Sequence, residues 1–191
     1  MKFSKKDIVF TMVLVLVTTL SKFFFAPKIE WAGISPVIAI ALFSGMMVKD
    51  KTQSFILPLV ALFLSDVLIQ ILYKAGLFVF PGLYKGQLFN YSLLLLTTVL
   101  GWLLKGKRTE SVMISAVVAP TLFFLLSNFF VWNSATQLSY PKNFNGLLLC
   151  YGAGLPFYKN ALIASVVFLP SLIAFFNVYV KGSKALKITL A

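Results

Sequence analysis

The sequence predicts an all-α polytopic membrane protein, a single domain over residues 1–191 built as a bundle of six transmembrane helices. Three observations carry that prediction. Apolar residues make up 60% of the chain and the mean hydropathy is +0.94, against about 45–50% apolar content in soluble domains. Six apolar segments approach the roughly 20 residues that a helix needs to cross a hydrocarbon core of about 30 Å. Charged residues fall between those segments, so no stretch is left for a soluble domain beside the bundle.

The first span is expected over residues 8–26. Its basic head and apolar run resemble a signal peptide, but no small-residue cleavage site follows and the apolar stretch continues to Phe25, so it reads as a retained span. The second, 34–48, is short and opens at Ser35-Pro36, where proline suits the first helical turn. Its small residues Ala39, Ala41, Ser44 and Gly45 point to close helix packing. The third, 54–73, and the fifth, 111–132, contain Pro58 and Pro120, and the fourth spans 88–104. The sixth, 158–180, is entered just after Pro156 and contains Pro170. Prolines inside spans should kink their helices locally. Between spans five and six, "NGLLLCYGAGLPF" (145–157) is too apolar for a solvated loop and too short to cross. It is expected to be an interfacial or re-entrant piece with its backbone satisfied by protein.

The net charge of +12 would suggest nucleic acid in a soluble chain, but lysines flanking membrane spans set orientation instead. One side collects Lys2, Lys5, Lys6, Lys49, Lys51, Lys105, Lys107, Arg108, Lys181, Lys184 and Lys187. The other holds Lys22, Lys28, Lys74, Lys85, Lys142 and Lys159 over longer loops. The positive-inside rule then places both termini in the cytoplasm. The loop "KGKRTE" (105–110) reads as a topology determinant that could also touch anionic headgroups. Cys150 stands alone and histidine is absent, so no disulfide, metal centre or cofactor is expected. Nor is there a Ser-His, paired-carboxylate or HExxH arrangement for an enzyme.

The informative residue is Asp66 in "LFLSDVLIQ" (62–70). Counting 1.5 Å per residue from Ser54 puts it about 18 Å into the third span, past the midplane toward the outside. Gln70 follows one turn later. Lys22 and Asn128 fall in the outer halves of spans one and five, with Trp132 beyond; Asn90 and Tyr91 open span four, and Lys159 and Asn160 open span six. Among spans, the cytoplasmic half holds a single amide, Asn177. A carboxylate facing lipid costs several kcal/mol, so Asp66 should face the interior or a wet cavity, or be protonated, with Lys22 and Lys159 as natural partners. Two readings stay open: a polar clamp between helices, or the wall of a ligand site built from Asp66, Gln70, Asn90, Tyr91, Asn128, Trp132, Lys159 and Asn160. Aromatic residues crowd the same end, as an interfacial belt or as pocket walls.

The strings "SPVIAIALFSG", "LPLVALFLSDVLI", "YKGQLFNYSLLLL", "SNFFVW" and "YPKNFNGLLLCYGAGLPFYKN" together resemble an uncharacterised family of small bacterial six-helix membrane proteins. More distantly, the order of elements resembles the substrate-binding S components of energy-coupling-factor (ECF) vitamin transporters. They share a small-residue second span, an "SD" near the outer end of the third and a long third loop. That resemblance implies a ligand pocket at the extracytoplasmic end, gated by outer loops, with Asp66, Asn90, Asn128, Lys159 and Asn160 as pocket residues. It also implies a bacterial inner-membrane setting and, as partners, an ATPase with a membrane coupling subunit. The first span lacks the alanine-x-x-x-alanine pattern with which many S components dock on that subunit. The leading expectation is therefore capture or transport of a small vitamin-like molecule; the alternative is an accessory subunit of a larger membrane complex.

Overall fold

In the computed structural model, which describes residues 5–104, 109–134 and 139–182, the apolar segments form six α-helices. They are α1 (Lys5–Phe25), α2 (Val37–Met47), α3 (Lys51–Lys74), α4 (Gln87–Leu104), α5 (Thr109–Ser134) and α6 (Phe144–Tyr179). All but α2 are long and apolar enough to cross a membrane. The chain is thus an all-α, multi-pass membrane bundle in contact with lipid. Lys2, Lys105, Lys107, Arg108, Lys184 and Lys187, which bear on the orientation argument, lie outside the described residues.

The second helix departs from its expected 34–48 extent. With 11 residues it is about 16 Å long, half of the hydrocarbon core. Pro36 is its N-cap and Val48, already extended, ends it. A helix apolar on every side must be covered on every side, and Ile38 to Met47 are all buried. It packs against α3, α4, α5 and α6, and so forms the central pillar. The small residues serve this packing as expected. A Cβ on Gly45 would run into the Thr98 carbonyl and come within 2.9 Å of the Gly101 Cα, and one on Gly101 would meet the Leu42 carbonyl at 2.6 Å. The backbones of α2 and α4 therefore cross in direct contact. Ser44 donates to the Ser54 carbonyl at 2.7 Å, tying α2 to the start of α3.

At the opposite end from the Asp66 region, Phe10 of α1 lies 5.4 Å from the Phe43 ring of α2 and 5.3 Å from Phe176 of α6. These three rings close the core there. Within α1, the hydroxyls of Thr18 and Thr19 donate at 2.8 Å to the carbonyls of Leu14 and Val15. That satisfies two buried polar groups without a partner helix.

The largest correction concerns residues 144–157. No separate interfacial piece forms there, and Pro156 does not precede the last span. The chain is helical without interruption over 36 residues, with Pro156 and Pro170 inside. Asn143 starts this helix by accepting from Gly146 N at 2.9 Å. Packing on α5 carries it through Pro156. The Tyr151 hydroxyl donates to the Leu125 carbonyl at 2.9 Å, Tyr158 stacks on Phe124 at 4.7 Å, and Gly154 leaves room for the Asn128 amide. At about 54 Å, α6 outruns the hydrocarbon core by more than half its thickness.

The segment that does fold back into the bundle is 75–86, between α3 and α4. Helix α3 ends at Gly76, whose φ of +73° is the left-handed conformation that glycine adopts freely, with Leu77 N donating to the Leu72 carbonyl at 2.9 Å. The chain then descends beside α3 until Gly82 rests on it. A Cβ on Gly82 would strike the Asp66 carbonyl and lie 2.5 Å from Gln70 N. Asp66 is eight residues before the end of α3, about 12 Å along its axis. Backbone at this depth is tolerated because it lies against protein.

Candidate functional site

Asp66 is buried at 5% exposure, and the groups that meet its carboxylate come from two other helices. From α1, Lys22 forms an ion pair with Oδ1 and donates at 2.8 Å to Ser65 Oγ, which itself donates to the Leu62 carbonyl. From the first turns of α4, Gln87 Nε2 and the Tyr91 hydroxyl donate to Oδ2 at 2.6 and 2.7 Å. Gln87 and Tyr91 are one helical turn apart, so their side chains rise on one face, and Gln87 also donates to Tyr91 at 2.9 Å. Both carboxylate oxygens are therefore satisfied, and a lysine lies against the carboxylate. In a medium of low dielectric, charge-assisted bonds of this kind are the strong ones.

The re-entrant loop is held by the same residues. Gln70, on the Asp66 face of α3, accepts from Leu83 N at 2.9 Å. Gln87 reaches the Gly82 carbonyl at 3.3 Å. Phe78, buried, stacks on Phe23 of α1 at 5.6 Å. Beyond Gly82, Asn90 Nδ2 donates at 2.7 Å to the Tyr84 hydroxyl. Burial pushes the Tyr84 phenol above its ordinary pKa near 10, the Asn90 bond opposes that, and the charge of Asp66 adds to it. Tyr84 thus stays a neutral hydroxyl at physiological pH.

Between these groups lies a pocket of about 240 Å³. Lys22, Asp66, Tyr84, Asn90 and Tyr91 supply its polar wall; Phe78, Phe80 and Phe123 supply the aromatic part of its apolar one, beside aliphatic residues such as Leu62, Ile69 and Leu94. Several polar groups of this wall take no part in the bonds just described: the Tyr84 hydroxyl hydrogen, the second amide hydrogen and the carbonyl oxygen of Asn90, and the third ammonium hydrogen of Lys22. The pocket is therefore bordered by residues that hold unspent donors and an unspent acceptor, next to the Lys22–Asp66 ion pair.

Of the residues singled out in the sequence, Asp66, Asn90 and Tyr91 meet here, joined by Lys22. Gln70 is adjacent but spends its carbonyl on the loop. Asn128 sits between α5 and α6 and donates to the Phe124 carbonyl at 2.9 Å. Trp132 donates to the Pro141 carbonyl at 3.0 Å and lies under Lys142. Asn160 is buried and fastens the α1–α2 connection through the Glu30 and Ala32 carbonyls, both at 2.8 Å. Lys159 is exposed, and Lys22 alone of the two expected partners pairs with Asp66. The polar groups therefore divide between the Asp66 cluster and separate fastenings along α5 and α6. Gln87 and Gly82 are additions that the sequence reading lacked. Gln87 was legible as the residue one turn before Tyr91, and Gly82 only as part of a turn-like "PGL".

No curated protein and no solved structure matches this chain. A family model matches residues 2–187, that of DUF6580, described as a family of unknown function. By the extent of that match, this chain is a member of the DUF6580 family.

Proposed function

We propose that this protein binds, and helps to transport, a small vitamin-like molecule captured at the extracytoplasmic end of its bundle, in a bacterial inner membrane with both termini in the cytoplasm. The observation that carries the reading is the pocket of about 240 Å³ beside Asp66, with aromatic walls and an unspent donor and acceptor on Tyr84 and Asn90. Small-molecule sites have this composition, apolar and aromatic with a few aimed polar groups, although most are larger, from about 300 Å³ upward. The volume fits a compact ring or head rather than an extended ligand. In this reading the Lys22–Asp66 pair shapes the pocket, Asn90 and Tyr84 select the ligand, and the protein does no covalent chemistry. An ATPase with a membrane coupling subunit would supply the energy.

The accessory-subunit reading has its own support. Asp66 is fully satisfied within the protein, as a clamp should be, and Ile29, Trp31, Leu77, Val79 and Phe80 are exposed at the same end, as on a surface that meets another subunit.

Purification from native membranes in mild detergent, with mass spectrometry of co-purifying proteins and small molecules, separates the two. Asn90→Ala is the decisive variant, because among the described residues the side-chain bond it removes is the one to the Tyr84 hydroxyl. A small molecule retained by the wild type and lost from Asn90→Ala supports capture. A stoichiometric set of membrane subunits held equally by both proteins, with no small molecule, supports the accessory role and sinks capture.

A further inference from the structure

A second cavity, of about 220 Å³, lies between α4 and α5. Its walls are hydrocarbon except for Thr97, whose hydroxyl is already given to the Leu93 carbonyl at 3.0 Å. Leu96, Leu122 and Leu126 line it and are also exposed on the outside of the bundle, so this groove opens toward the bilayer. Its α4 residues, 93 to 100, are midway along the helix and therefore at hydrocarbon depth. Phe123 lines both this groove and the Asp66 pocket. On α4, Leu94 borders the pocket while Leu93, the residue before it, borders the groove. The half-buried Phe123 ring is thus common to the walls of both cavities.

We propose that the two cavities form one bipartite site for a single-chain amphiphile. Its uncharged, hydroxyl- or amide-bearing head occupies the Asp66 pocket and its hydrocarbon chain passes Phe123 into the α4–α5 groove. This inference rests on the capture reading and names the ligand class. Charge argues for the neutral head: Lys22 and Asp66 cancel, and Tyr84 is protonated. The paired donor and acceptor of Tyr84 and Asn90 suit a hydroxyl or an amide, each of which both donates and accepts. Size argues for the chain. The Asp66 pocket alone is small for a ligand site, and the neighbouring groove is apolar and reached from lipid. An ordinary bilayer lipid could lie in the groove, but its head would remain at the membrane surface and would not need Asn90.

The test uses the full chain in nanodiscs of a diacyl phosphatidylcholine. The probe is a monoacylglycerol bearing a diazirine at mid-chain, photolysed and mapped by peptide mass spectrometry. Adducts are expected on the groove segments of α4 and α5, competed by unlabelled monoacylglycerol and not by glycerol. Asn90→Ala should lower labelling about ten-fold, the consequence of leaving one hydrogen bond of the head unmade. Leu126→Trp, which fills the groove from an exposed position, should lower it as well. Labelling that resists competition and ignores Asn90→Ala means annular lipid and overturns the inference. A water-soluble molecule that co-purifies with the wild type and with Leu126→Trp, but not with Asn90→Ala, also overturns it while leaving capture intact. Failure of Asn90→Ala to affect any bound molecule, soluble or amphiphilic, removes the capture reading itself.

Discussion

Replacing Lys22 by methionine keeps most of the side-chain volume and removes the positive charge from Asp66. Among the described residues, the carboxylate would then keep Gln87 and Tyr91 as partners. In the native protein the two side chains are 20% and 7% exposed, so neither is fully in water nor fully dry. Breaking a buried pair by removing one member costs about 3–5 kcal/mol, and the partial exposure of Lys22 places the expected loss near the lower end, about 3 kcal/mol. For a chain of this size that corresponds to a fall in melting temperature of about 6–12 °C, taking about 2–4 °C per kcal/mol. The assay is thermal unfolding of purified protein in a single detergent, followed by size-exclusion or by fluorescence of a thiol dye at Cys150. Asp66→Asn should also destabilise, because it strands the Lys22 ammonium. The double variant should lose less than the sum of the two, since neither charge is left alone, with a coupling of about 1–3 kcal/mol. A change under about 2 °C for Lys22→Met, or strict additivity in the double variant, would show that the pair is not the buried clamp described here.

Further outcomes follow from the same geometry. Gly82→Ala should push the 75–86 loop off α3, because its Cβ strikes the Asp66 carbonyl; protease cleavage within 75–86 should quicken while the helices stay protected. Gly45→Ala should force α2 from α4 and cost about 1–3 kcal/mol in thermal unfolding, as overpacking does. Asn160→Ala leaves the Glu30 and Ala32 carbonyls without their donor and should cost about 1–3 kcal/mol, with no change in ligand retention. Because the Tyr84 pKa lies above its ordinary value near 10, the protonated donor persists as pH rises. Ligand retention should therefore stay level from about pH 7 to about pH 9, and a loss within that window would exclude Tyr84 as the donor.

Hydropathy and spacing made the class of fold legible. Each continuous apolar segment had to become a helix because a backbone in lipid is satisfied only in a helix or a closed barrel, and barrel strands alternate in polarity. Asp66 had to find a partner, water or a proton because an unpaired charge there is too costly. Depth narrowed that partner to Lys22 or Lys159, and the small residues of α2 pointed to close helix packing without naming α4 as the helix that meets them. Other features depend on which helix faces meet, which a one-dimensional pattern does not encode. Pro156 reads as a boundary from its own chemistry, yet α6 continues through it since α5 packs along both sides of that position. The Asn side chains at residues 90, 128 and 160 sit at similar depths in sequence, but helix rotation turns the first toward Asp66 and commits the other two to neighbouring backbone. The deep return of the 75–86 loop rests on a glycine with no side chain to clash with α3, together with Gln70 and Gln87 reaching it from two helices. The sequence by itself determined that a charged group lies in the membrane and needs company; the tertiary structure alone decided which groups keep it, because that choice is made by helix rotation and crossing rather than by composition.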